Sequence, residues 1–218
     1  PTETIEDPPG LVGDEYEVDA FAVQEPGEEL TVEVSVPDET AFEDTEVQIM
    51  NSDQGYEDAA IPNADGEATF SSDDMDLEPG TYSLLLAEEI TKAIHPIVIS
   101  GYEVEVTNPT SASEDEDITV EATVTQTESD EPPTVVNAVI WNDDGQERIE
   151  MSSNEDDDDT YTADISLDQF DPGEYEVYVT AHGDEEFRGE KEVLGLGEGS
   201  SLDIEEAEDD TDDSTDDT

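Results

Sequence analysis

The sequence predicts an all-β protein: two antiparallel β-sandwiches in tandem, followed by a disordered acidic tail. Three observations predict this. Apolar and polar residues alternate with period two along most of the chain, helical periodicity is nearly absent, and landmarks of the first half return in the same order in the second.

The alternation is clearest in ELTVEVSV (29–36), YEVEVT (102–107), DITVEATVT (117–125) and EYEVYVTA (174–181). Apolar or β-branched residues there face Glu, Thr or Ser, the signature of half-buried antiparallel strands. Leu30, Val32, Val34 and Val36 fall on one face, with Thr31, Glu33 and Ser35 on the other. Glu is a poor strand former, so the packing beneath must set the conformation. Only AEEITKAI (87–94) offers a helical turn or two, and Pro96 bars its extension.

The duplication is read from matched pairs. LEPGTYSLLLA (77–87) returns as FDPGEYEVYVTA (170–181), LTVEVSV from Leu30 as ITVEATV from Ile118, and IMNSDQG (49–55) as IWNDDG (140–145). The offset grows smoothly from 86 to 93 residues, as expected when loops absorb length differences. Strands are expected near 16–24, 29–36, 45–51, 55–61, 66–71, 81–87 and 94–100. Their second-copy counterparts are expected near 102–107, 117–126, 135–142, 146–151, 160–166, 174–181 and 186–194. The domain reading is therefore a disordered segment 1–13, sandwiches 14–100 and 101–196, and an acidic Asp/Thr-rich tail 197–218, with LGLGEGS (194–200) as linker. Gly101 alone separates the copies, so a stiff rod is expected rather than a tethered pair.

The Tyr that follows each Pro-Gly turn, Tyr82 and Tyr175, resembles the tyrosine corner of immunoglobulin-like domains. The resemblance spans 14–196 and implies two such sandwiches, without the Cys pair of true immunoglobulin domains, because the chain has no Cys.

Charge bounds the setting. The 218 residues carry 67 acids against 4 bases, a formal net charge of −63. A compact chain of this mass exposes roughly 10,000 Å², which spaces the acids about 12 Å apart. The Debye length is about 10 Å at 0.1 M salt and about 3 Å at 1 M, so dilute buffer leaves the repulsion in force and brine removes it. A halophilic protein is expected. Lys92, Arg148, Arg188 and Lys191 are the only bases, which excludes nucleic acid and anionic membranes as direct partners. No apolar run of about 20 residues occurs, so no direct membrane insertion is expected.

No cofactor is implied. The acid clusters Asp73–Asp74–Asp76, Asp143–Asp144 and Asp156 to Asp159 miss the spacing of a calcium loop, and read as solvated surface open to non-specific cation binding. His95 and His182 lie in no hydrolase or metalloprotease context. Asn108-Pro109-Thr110 is blocked as a glycan acceptor by its proline. A non-catalytic role follows.

Three residues are candidate contacts. Leu85 and Tyr178 take equivalent outward positions, either exposed for binding or covered by a neighbouring strand or domain. Trp141 is either a core tryptophan or, because it alternates with Ile140, an outer-face residue.

The acidic coat, tandem all-β modules and Asp/Thr tail together resemble haloarchaeal surface proteins with tandem immunoglobulin-like domains, or structural proteins of haloarchaeal viruses. That resemblance implies a structural or display protein on a cell or virion surface, partnered by its own copies or by a surface or capsid protein. The alternative is an accessory module of a secreted halophilic enzyme, for example polysaccharide-binding.

Overall fold

The computed structural model describes residues 3–6, 20–24, 29–33, 45–51, 55–70, 77–87, 93–129, 131–142, 145–154, 157–187 and 189–207. The chain is all-β there, with a single 3-10 turn at Leu167–Gln169. The strands before Gly101 are β1 (Glu3–Glu6), β2 (Ala20–Gln24), β3 (Leu30–Glu33), β4 (Glu46–Met50), β5 (Tyr56–Ala60), β6 (Glu67–Phe70), β7 (Gly80–Ala87) and β8 (Ala93–Ile99). After it come β9 (Tyr102–Thr107), β10 (Ser111–Ser113), β11 (Asp117–Gln126), β12 (Val135–Asn142) and β13 (Gly145–Glu150). The chain continues through β14 (Ser152–Asn154), β15 (Asp157–Ser166), β16 (Gly173–Phe187), β17 (Glu190–Glu198) and β18 (Leu202–Glu205).

Among the described strands no sheet mixes residues from before and after Gly101. The N-terminal half has a six-stranded sheet, β1-β2-β8-β7-β4-β5, and the pair β3-β6. The C-terminal half has β10-β18-β16-β12-β13, with β17 also on β16, and β14-β15-β11-β9. The path β2-β8-β7-β4-β5 and the path β10-β18-β16-β12-β13 match strand for strand. Each begins with a parallel pair and continues antiparallel.

Alternation explains the cores. Ile118, Val120, Ala122 and Val124 of β11 meet Ala138 and Ile140 of β12 and Val177, Val179 and Ala181 of β16 across one apolar layer. Leu30, Ile49, Phe70, Leu84, Ile97 and Ile99 form a separate layer in the N-terminal half. The tyrosines behind the Pro-Gly turns hold equal positions: Tyr82 donates to Glu78 O at 2.9 Å, and Tyr175 to Asp171 O at 2.8 Å.

Three expected segments are corrected. The acidic tail does not begin at 197, because Leu202 and Ile204 are buried in the C-terminal core and β18 pairs with both β10 and β16. LGLGEGS is not a linker: Gly195 and Gly197 lie in β17, where a Cβ on Gly197 would stand 2.5 Å from Val104 O. The N-terminal segment is not wholly irregular either, since β1 pairs antiparallel with β2. The core of the possible helical turn at 88–92, the acids Asp73, Asp74, Asp76, Asp143, Asp144 and Asp156, and the tail from 208 lie outside the described residues.

The strand expected at 174–181 runs on to Phe187. Tyr82 and Tyr175 are 93 residues apart, whereas their register partners Ile97 and Leu202 are 105 apart, twelve more. Those twelve residues lengthen the β16–β17 hairpin into an arm.

Candidate functional site

The arm begins at a bulge around His182, where the β16–β17 register shifts. Lys191 O can only accept, so the imidazole Nδ1 carries the hydrogen at 3.1 Å, which leaves Nε2 to accept from the Thr180 hydroxyl at 2.8 Å. Burial holds the His182 pKa below its ordinary value, against the backbone hydrogen bond to Lys191, which raises it. Its carbonyl accepts from Thr134 N at 2.9 Å. The arm root is therefore fixed on both sides by hydrogen bonds.

The arm then laps onto the N-terminal half. Phe187 and Val193 pack on Val98, with Val23 and Leu196 at the margin. Thr81 Oγ1 donates to Val193 O at 3.0 Å and accepts from Val193 N at 3.1 Å, so one hydroxyl satisfies both backbone groups of that residue. At the connection itself Gly101 N donates to Leu194 O at 2.7 Å, and Ser100 Oγ reaches the same carbonyl at 3.3 Å. A Cβ on Gly101 would lie 3.0 Å from Pro79 and 3.1 Å from Ser129, so the residue joining the halves is wedged between a turn of each.

One carboxylate is enclosed there. Glu192 is 7% exposed and sits between Gly80 and Gly183. Burial raises its pKa to about 7, helped by the charges of Glu185 and Asp184 and opposed by the Thr81 backbone and by Lys191. Across the joint, burial and then Glu57, Glu78, Glu192 and Glu185 push Tyr82 up to about 12.

The three candidate contacts lie elsewhere. Trp141 alternates with the fully buried Ile140 and stands half-buried on the outer face of β12. Tyr178 shares that face, opposite Val139 of β12 and Glu198 of β17, and is only 7% exposed. It points outward but is covered, because neighbours on both sides of a central strand enclose it. Leu85 is half-buried at the equivalent place in the other sheet, opposite Gln48, and does not join them. The sequence reading missed Thr81, Val98, Phe187, Glu192 and Val193. The jump in repeat offset after Tyr175 marks the arm residues Phe187, Glu192 and Val193 but not Thr81 or Val98.

Two further features are modest. A groove of about 230 Å³ beside the Asp171-Pro172-Gly173 turn is lined by Asn142, Gln146, Gln169, Phe170 and Tyr175, among others. The Phe170 and Tyr175 rings stand edge to face, 5.5 Å apart at 83°. Among the described residues, no three His, Asp or Glu side chains converge as a metal site requires, and no helix is long and apolar enough to cross a membrane.

No protein-family model matches the chain, and no curated protein matches it. Among solved structures it is similar to a tetra-tandem repeat in the extending region of a large adhesion protein, at 13% identity and a TM-score of 0.35. The match covers 74% of this chain and 41% of that one, so this chain spans well under half of its neighbour's length. A likeness this distant leaves the functional argument to the joint.

Proposed function

We propose that the chain is a non-catalytic structural or display protein, a stiff rod of two tandem immunoglobulin-like sandwiches on the surface of a halophile's cell or of a virion. The observation that carries this reading is the joint. A display stalk must hold its tip in a set relation to its base, and the Thr81–Val193 hydrogen bonds with the Val98–Phe187–Val193 contact provide that. The matching strand paths and paired tyrosine corners support the tandem immunoglobulin-like reading. The charge of −63 supports a salt-rich setting, where screening removes the repulsion between carboxylates. Its partners are its own copies or another surface or capsid protein.

Because the chain has no Cys, single cysteines at the exposed Asp65 and Asp168 can carry a spin-label pair. In molar salt a single narrow distance distribution is expected, and a broad or multimodal one removes the rod. Dialysis into dilute buffer is expected to abolish the β circular-dichroism spectrum; an unchanged spectrum removes the salt adaptation.

The groove's carboxamides favour the second reading, an accessory polysaccharide-binding module. The perpendicular Phe170 and Tyr175 rings offer no flat platform for a sugar, which sets it behind. A glycan array probed in molar salt separates the two.

A further inference from the structure

The arm rests on a three-residue patch: Val23 of β2, Val98 of β8 and Thr81 of β7, adjacent in register. The C-terminal half has the same three-strand arrangement, so the equivalent patch can be read directly. Ser111 of β10 pairs with Asp203 of β18, and Asp203 with Glu174 of β16. Val23, Val98 and Thr81 thus correspond to Ser111, Asp203 and Glu174.

The two patches differ in one respect that matters. Thr81 and Val98 are 5% and 0% exposed, whereas Ser111, Asp203 and Glu174 are all exposed. Asp203 and Glu174 also face each other across an antiparallel pair, an arrangement of like charges that disfavours the sheet. An apolar arm laid there would strip water from both carboxylates without providing a counter-charge. The β7–β8 hairpin of the N-terminal half is twelve residues shorter between the equivalent positions.

We propose that the joint is a self-saturating arm and socket: residues 182–193 are the arm, Val23, Thr81 and Val98 the socket, and Ser111, Glu174 and Asp203 close the equivalent surface of the C-terminal half to any second arm. One chain holds one arm and one open socket, and uses both on itself. Further stacking through this joint is blocked, so copies must assemble through other surfaces. The inference rests on the two-sandwich reading above. A broad label distribution in the unaltered chain defeats that reading, whereas the exchange and association results below bear on the arm and socket alone.

The test places the C-terminal half's own acids in the socket. In full-length T81E/V98D, hydrogen exchange of the arm amides of Phe187, Glu190 and Lys191 should speed up at least tenfold in molar salt, with the β4, β11 and β15 core amides still protected. Unchanged arm exchange overturns the proposal. If the cores also exchange, the milder Phe187→Ala, which trims the arm and spares the socket, is the deciding variant; it too must expose the arm. With its arm free, T81E/V98D should associate no more than the unaltered chain does in sedimentation, because no other copy offers an open socket. Adding S111V/E174T/D203V should then produce concentration-dependent association. More association than the unaltered chain shows before those changes, or no gain after them, overturns the closed surface.

Discussion

Glu192→Gln isolates the one carboxylate enclosed in the joint. In the folded chain its pKa rises from 4.5 to about 7, so the native state holds this proton more tightly than the unfolded state does. The stabilisation is complete below about pH 4.5 and is lost as pH rises through about 7, above which the ion sits in the joint. At 1.36 kcal/mol per unit the loss amounts to about 3 kcal/mol. Gln keeps the shape and removes the titration. Other carboxylates also relieve repulsion when protonated, so the quantity to measure is the difference between the two proteins. Urea unfolding in molar salt, followed from pH 4.5 to 8, should show near-equal stability at the acid end. E192Q should gain up to about 3 kcal/mol above pH 7 with an unchanged m value. Parallel pH curves would mean that the joint does not enclose this side chain.

Three other changes probe the fold that holds the joint. Tyr175→Phe removes the bond to Asp171 O and should cost about 1 kcal/mol, read from the denaturant midpoint. Leu202→Ala opens a cavity beneath β18 and should cost about 2–5 kcal/mol, whereas a residue of a disordered tail would cost nothing. Gly197→Ala sets a Cβ 2.5 Å from Val104 O, a backbone atom that cannot turn aside, so a lowered melting temperature and faster β9 amide exchange are expected.

Much of the sandwich was legible because its signal is local. The run ITVEATV alternates for seven residues, and Ile118, Val120, Ala122 and Val124 all lie in the core. The equal placing of Tyr82 and Tyr175 was legible because turn and tyrosine are neighbours in the chain. What stayed hidden depends on partners distant in sequence. LDIE at 202–205 has two apolar residues among acids, and the acidic tail follows it without a break. Only its pairing with β10 and β16 makes it a strand. The glycines of LGLG looked like a linker, although their missing side chains are what let β17 close on β9. Alternation turned Tyr178 outward but could not say what lies over it.

In a chain where acids make up nearly a third of the residues, an outward strand position without charge carries information. On β16 the outward residues Glu174 and Glu176 are acidic; at the same places on β7 stand Thr81 and Ser83, both buried. Opposite them, Asp203 of β18 answers to Val98 of β8. An exposed acid is tolerable wherever salt can screen it, but no ion atmosphere reaches beneath an arm that excludes water. A surface covered in this way is therefore expected to lack charge, as Thr81, Ser83 and Val98 do.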